Sequence, residues 1–221
     1  MKTVLKLTTR NKTATRDRAL LALLQGEVIV IAAEHGYLYA CDAFNHTAVE
    51  RLHSLRGDQP GTAAQVLIGK LNAVSGLASD FDSDWQKVVG AFWPGLLTVQ
   101  LSPQSALNWD LGDGRALSEF ALRMPSRDFL LSVLSRSGPM AVASASPAGQ
   151  PPVREISLVP VAPTEVGLGI DEGILPPGPV STVLRSAKNS QGREGIECLR
   201  EGAISLAELQ LVLSSISAPK P

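Results

Sequence analysis

Glu27-Val-Ile-Val-Ile-Ala-Ala33 is the stretch that decides the fold class. Six apolar residues follow Glu27 without a break, and the first four are β-branched. A strand wetted on one side would alternate apolar with polar; a continuous run suits a strand buried on both faces. Such a strand needs cover above and below, which helices supply in an α/β domain.

Working outward, the neighbours agree. Upstream, Thr15 can cap a helix whose Leu20, Leu21, Leu23 and Leu24 form an apolar face, and Gly26 stops it. Downstream, Thr47-Ala-Val-Glu50 has the form of a capping box and opens a helix to about Leu55. Gln65-Val-Leu-Ile68 reads as a short buried strand. Ser83 opens a helix through Trp85, Val88, Val89 and Phe92 that ends at Pro94-Gly95. Leu96 to Leu101 is the next strand, and a Gly-containing loop from Asn108 to Gly114 separates it from strand Glu119 to Met124. Ser126 caps a helix to about Ser135, and Pro139 to Ser144 is another strand. Pro147 to Pro179 is rich in Pro and Gly and reads as a long irregular crossing that frames a site, with at most short elements. Strands near Ser181 to Leu184 and Ile196 to Leu199 follow. Ser205-Leu-Ala-Glu208 is a second capping box, opening a C-terminal helix, and Ala218 to Pro221 are expected to fray. The whole reads as one domain over 1–221, with its core at about 15–215 and short extensions at each end.

Composition narrows the class. The chain has 221 residues, 44% hydrophobic and 19% charged, enough for a sizeable core. Its 20 Lys and Arg against 21 Asp and Glu leave a formal charge of −1, without the basic surplus of a strong nucleic-acid binder; only a local basic groove would serve RNA. Cys41 and Cys198 are expected to be reduced, packed thiols. The first residues, MKTVLKLTTRNKTATRDR, lack the apolar stretch of a signal peptide, and no run approaches the ~20 residues of a membrane span. The expectation is a soluble cytoplasmic protein.

Generic chemistry motifs fail. There is no G-x-x-x-x-G-K-S/T, no G-x-G-x-x-G after a strand and no G-x-S-x-G. Asp110 to Gly114 has the wrong spacing for a calcium loop. His35, His46 and His53 form no zinc signature and are expected to be solvated or hydrogen-bonded; no metal site is expected.

Seven ordered segments carry more information. Ala32-Ala-Glu-His-Gly-Tyr37, then Cys41-Asp-Ala43, stand where one known family has P-T-D/E-T-x-Y-G and C/A-D-A. Val49 to Gly69 is similar to that family's helix, K-x-R segment and following strand. Phe92-Trp-Pro-Gly-Leu-Leu-Thr98 is similar to W-P-G-P-L-T, Leu122-Arg-Met-Pro125 to V/L-R-x-P, and Ala143-Ser-Ala-Ser146 with Gly149 to T-S-A-N-x-S-G. Val180-Ser-Thr-Val183 and Leu199-Arg-Glu-Gly202 close the series, similar to P-S-T-I/V and L-R-x-G. From about Asp17 to about Ser205 the chain thus resembles the YrdC-like family, the group that includes the threonylcarbamoyl-AMP synthases.

The resemblance implies a twisted mixed sheet flanked by helices and bounding a large concave groove. It implies a nucleotidyltransferase that converts ATP, L-threonine and bicarbonate to threonylcarbamoyl-AMP and pyrophosphate, for transfer by partner proteins to a tRNA adenosine. Magnesium would accompany ATP, held mostly by phosphate and water. Arg123 matches the arginine that holds the threonine carboxylate, a role its planar fork suits. An arginine in so apolar a strand must face a cleft or be paired. Ser144 matches an ATP contact, Ser181 and Thr182 a substrate-contacting pair, Arg200 an arginine near the nucleotide, and Tyr37 a tyrosine lining the adenylate pocket, with core packing an equal alternative. Thr98 closes its motif, either at the site or on a strand surface.

Several positions depart from the pattern. Ala33 replaces a threonine. Leu38 replaces a glycine, so the backbone there is expected to differ. Arg56 falls on the lysine of K-x-R and Asp58 on its arginine, reversing a charge beside the expected triphosphate, and Ser146 replaces an asparagine amide. These changes keep a second reading open: a non-catalytic relative that binds a nucleotide, double-stranded RNA or a partner protein. A related enzyme with a different acceptor acid is a third.

Overall fold

The structure is a computed structural model and describes residues 1–116, 118–162, 164–188 and 194–217. Its strands are β1 (Thr3–Lys6), β2 (Ile29–Ala32), β3 (Tyr37–Asp42), β4 (Gln65–Leu67), β5 (Leu97–Leu101), β6 (Phe120–Arg123), β7 (Met140–Ser144), β8 (Leu168–Asp171), β9 (Thr182–Lys188) and β10 (Glu194–Arg200). Its helices are α1 (Lys12–Leu24), α2 (His46–Arg56), α3 (Val74–Leu77), α4 (Ser83–Phe92), α5 (Asp128–Ser137) and α6 (Leu206–Ser217). All ten of these strands join one sheet, in the order β1-β8-β2-β3-β7-β4-β6-β5-β9-β10. The sheet is mixed: β1–β8, β8–β2, β4–β6 and β5–β9 are parallel, and the other neighbours antiparallel.

Both faces are apolar where helices lie on them. β2 is buried at all four positions, as its unbroken run requires. On one face Val30, Tyr39, Val66, Leu97, Val99 and Leu122 pack with Ala48 and Leu52 of α2 and Trp85 and Val88 of α4. On the other, Ile29, Ile31, Ala40, Leu67, Met140, Val142 and Ile170 pack with Ala19 and Leu23 of α1 and Leu130, Val133 and Leu134 of α5.

Four helix starts differ from expectation, and at α2 and α4 the reason is that another side chain does the capping. α1 begins at Lys12, so Thr15 is a buried residue of its second turn. Thr8 and Asn11 fix the turn before it reciprocally: the Thr8 N–H donates to Asn11 Oδ1 at 2.8 Å, and the Asn11 N–H to Thr8 Oγ1 at 3.3 Å. Asn45, not Thr47, caps α2, accepting the Ala48 N–H at 3.0 Å. Asp82, not Ser83, caps α4 through bonds from Asp84 and Trp85. α5 starts two residues after Ser126. The box at α6 forms as written: the Ser205 N–H donates to Glu208 Oε2 at 2.8 Å, and the Glu208 N–H returns to Ser205 Oγ at 3.3 Å.

Three strands go beyond the expectation. β1, expected to lie in an extension outside the core, is an edge strand paired to β8. β8, within the Pro/Gly-rich crossing, sits between β1 and β2. β3 continues directly from the Tyr37 motif. Leu38 is extended, paired with Ile31 and Ser144, so a side chain there costs no backbone strain. Ala218–Pro221, expected to fray, lie outside the described residues.

Candidate functional site

The α1–α5 cover ends part-way across the sheet. The cluster beneath those helices takes residues from β8, β2, β3, β7 and β4, and none from β6, β5 or β9. Beyond it, alternation places Gln65, Ala121, Arg123, Thr98 and Ser181 on the same face, with Ser144 beside them at the end of β7. Gln65, Ala121, Ser144 and Ser181 are only partly buried. A polar floor in mid-sheet is thus left outside the α1–α5 cover.

Hydrogen bonds knit the floor across strands. Gln65 Nε2 donates to Thr98 Oγ1 at 2.8 Å, and Thr98 Oγ1 donates to Ser181 Oγ at 2.9 Å. Arg200 Nη2 reaches Ser181 Oγ at 3.2 Å and the Ser181 carbonyl at 2.9 Å, and its Nε donates to that carbonyl at 3.2 Å. The turn carrying Arg200 lies close because Gly202 has no side chain: a Cβ there would fall 2.4 Å from the Val180 carbonyl oxygen.

Arg123 ends β6 and is buried. Its Nη1 donates to Glu34 Oε2 at 3.1 Å. Glu34 Oε1 accepts the Ser126 N–H at 2.8 Å and the Ser126 hydroxyl at 3.2 Å, so the carboxylate is held from both sides. Burial by itself raises the Glu34 carboxyl; the Arg123 charge and the backbone bond from Ser126 outweigh it and hold the group below its usual range. Arg123 Nε is buried and has no hydrogen-bond partner. The guanidinium is thus oriented by Glu34 alone among the described hydrogen bonds.

Behind the Glu34–Arg123 pair lies a cleft of about 600 Å³, lined by Lys12, Glu34, Ser126, Arg127, Asp128 and Glu172 among others. Arg127 Nε and Nη2 both reach Glu172 Oε2 at 3.0 Å, while Glu172 Oε1 is buried without a partner. Burial raises the Glu172 carboxyl despite Arg127.

Comparison with known proteins follows this geometry. The model of the Sua5/YciO/YrdC family, which carries the description "Telomere recombination", matches residues 21–202. This chain belongs to that family. A Mycobacterium leprae protein named "Putative threonylcarbamoyl-AMP synthase" is 31% identical over 90% of this chain and 88% of its own length. Among solved structures, P. abyssi Sua5 complexed with L-threonine superposes with a TM-score of 0.84 at 22% identity, over 96% of this chain and 61% of that one. E. coli YciO does so with a TM-score of 0.73 at 20% identity, over 91% and 96%. The fold is therefore the YrdC-like fold. The chain spans about three fifths of that P. abyssi Sua5 chain.

Within the Sua5/YciO/YrdC frame, the expected positions divide. Arg123, Ser144, Ser181 and Arg200 gather at the polar floor. Ser144 Oγ lies 2.8 Å from Ser146 Oγ, and Ser146 is buried and reaches the Gln150 carbonyl at 3.4 Å. Thr182 does not join them. It is one residue from Ser181 on a strand, so it points to the opposite face and is wholly buried. Its Oγ1 donates to the Ile204 carbonyl at 2.7 Å and accepts the N–H groups of Gly202 and Ile204, each at 2.9 Å. That bonding is structural. Tyr37 is also fully buried: its hydroxyl donates to the Gly173 carbonyl at 2.9 Å and accepts the Glu172 N–H at 2.9 Å, and burial pushes it up to about 12. It braces the end of β8 rather than lining an open pocket.

Asp58 is not the free charge expected beside a triphosphate. Its buried carboxylate lies 2.8 Å from His53 Nδ1 and 3.5 Å from Arg56 Nε, and His53 Nε2 lies 2.8 Å from the Leu111 carbonyl. The acid ties the end of α2 to the 110–114 loop. Arg56 keeps a buried Nε without a hydrogen-bond partner, and its carbonyl accepts the Ala148 N–H at 3.1 Å, beside the loop that holds Ser146. His46 pairs with Asp110 at 2.9 Å.

Sequence reasoning missed Glu34 and Gln65. Glu34 stood at the acidic position of its motif, and its partner lay 89 residues away. The signal for Gln65 was a polar residue opening an otherwise apolar strand. Thr98, left open between site and strand surface, belongs to the floor.

Proposed function

We propose that this chain makes threonylcarbamoyl-AMP from ATP, L-threonine and bicarbonate. The threonine amine and bicarbonate give a carbamate and water; a carbamate oxygen attacks the α-phosphorus of ATP, and pyrophosphate leaves. This is adenylyl transfer, which depends on holding two anionic reactants in line and on cations facing the developing phosphate charge. Arg123 carries the reading: a guanidinium oriented by Glu34 at the end of β6, at the edge of a polar floor, is the seat assigned to the threonine carboxylate. The names of the relatives point the same way.

The other roles follow from position. Arg200 lies near the nucleotide with Ser181 contacting substrate beside it, and Ser144, Ser146 and Arg56 form the nucleotide end. Among the described residues no three His, Cys, Asp or Glu side chains gather as a metal site, so magnesium is expected to come with the phosphates. The product serves tRNA modification through partner proteins in the cytoplasm. No helix among the described residues is long and apolar enough to cross a membrane.

Asp58 favours a second reading, a non-catalytic relative that binds nucleotide or duplex RNA, because a buried acid stands where the family places an arginine. The deciding experiment incubates pure protein with ATP, bicarbonate and magnesium, with and without threonine, and measures pyrophosphate. Threonine-dependent release is expected. Its absence, with AMP still bound in calorimetry, would transfer the case to the second reading, and salt-sensitive duplex RNA retention on filters would select the RNA form.

A further inference from the structure

The floor contains a hydrogen-bond chain whose direction is set by the orientation of the Gln65 amide, Nε2 toward Thr98. Thr98 is 3% exposed, so its hydroxyl proton needs a protein partner. Thr98 Oγ1 already accepts from Gln65 Nε2 at 2.8 Å, and the acceptor left for its proton is Ser181 Oγ at 2.9 Å. Ser181 Oγ also accepts from Arg200 Nη2 at 3.2 Å. A serine hydroxyl has two acceptor lone pairs and one proton. Both lone pairs of Ser181 are engaged by protein donors, so its proton is the capacity that remains, and Ser181 borders the polar floor.

We propose that Gln65 and Thr98 are positioning residues that orient Ser181 as a hydroxyl donor toward an anionic oxygen of the bound substrate. Neither touches the ligand. Gln65 spans β6, reaching from β4 to β5 diagonally between Ala121 and Arg123. Arg200 supplies charge at the same oxygen, so the seat joins a neutral donor to a cation. The acceptor has the chemistry of a phosphate or a carboxylate. This inference rests on the proposed substrates.

The test is calorimetry with AMP and with L-threonine, alongside steady-state pyrophosphate release. Thr98→Val removes the donor to Ser181 at nearly constant shape. It is expected to weaken the ligand that Ser181 contacts by about ten-fold, the size of one hydrogen bond to a charged partner. The loss should fall in KM more than in kcat, and the ligand affected, AMP or threonine, identifies the source of the anionic oxygen. Thr98→Ser, which keeps the hydroxyl, should stay within about two-fold of wild type.

Gln65→Glu tests direction. A carboxylate at this position accepts only, so Thr98 would donate to it, Ser181 would donate to Thr98, and the proton would leave the floor. Binding should fall sharply in the wild-type background and much less in the Thr98→Val background, because the relay is already cut. A plain charge effect would instead add in both backgrounds. Additive losses, or equal affinities for Thr98→Val and Thr98→Ser, overturn the relay. If the wild-type protein binds neither AMP nor threonine, the proposed substrates fall and the relay with them; if it binds both and the variants match it, only the relay falls.

Discussion

One face of the sheet carries two surfaces of opposite character. Across β8, β2, β3 and β7 the alternate positions are mostly aliphatic, Ile29, Ile31, Ala40, Val142, Ile170, and α1 and α5 close over them. Across β4, β6, β5 and β9 the same alternation presents Gln65, Ala121, Arg123, Thr98 and Ser181 outside the α1–α5 cover. Strand geometry is shared. What changes is whether burial is accomplished by apolar contact, which any well-fitting side chain supplies, or by hydrogen bonds and charge pairing, which only particular partners supply. The first surface holds the fold; the second is the one proposed above for the substrates.

The largest expected effect compares one residue from each half. Arg123→Ala leaves the Glu34 carboxylate buried without its counter-charge, at a cost of about 3–5 kcal/mol in unfolding free energy. Leu130→Ala removes a wholly buried leucine of α5, at a cost of about 2–5 kcal/mol. Urea denaturation measures both costs. The halves separate in rescue: pairing Arg123→Met with Glu34→Gln should recover much of the stability and none of the threonine binding. If the double variant is no more stable than Arg123→Ala, the pair is not the source of the cost.

A finer comparison sits on one strand. Thr182 and Ser181 are adjacent, yet one faces the core with three bonds and the other the floor. Thr182→Val strands two backbone N–H groups and a carbonyl, and should cost about 1–3 kcal/mol in stability. Ser181→Ala should cost less than about 1 kcal/mol and lose ligand affinity instead. Equal stability losses would mean that Ser181 is as structural as Thr182.

The uneven legibility of the sequence follows from the same contrast. β2, the α6 box and the order of motif segments were readable because they rest on local pattern: a run of β-branched residues, a four-residue cap, a fixed succession. β1 and β8 were not, because a four-residue strand gains its meaning from a partner more than 160 residues away, as Thr3 does from Leu168. Alternation separates Ser181 from Thr182, but it does not say which side a helix will cover, so both were read as site residues. Asp58 read as a charge reversal because its partner His53 and the Leu111 carbonyl that orients it come from separate segments.

The smallest expected effect contrasts two carboxylates that line one cleft. Glu34 is held below its usual range because Arg123 and the Ser126 N–H outweigh burial; Glu172 is raised because burial outweighs Arg127 and one of its oxygens has no partner. The signs are opposite. A lowered carboxyl contributes stability above its unfolded pKa, near about 4.3, and loses it as pH falls through the lower folded value. A raised carboxyl contributes stability below the unfolded pKa and loses it as pH rises through the higher folded value. Glu34→Gln should therefore flatten the acid side of the urea-midpoint profile, below about pH 4, and Glu172→Gln the side above it. Should both variants flatten the same side, the two pairs would be electrostatically alike, and the unpaired oxygen of Glu172 would have no energetic consequence.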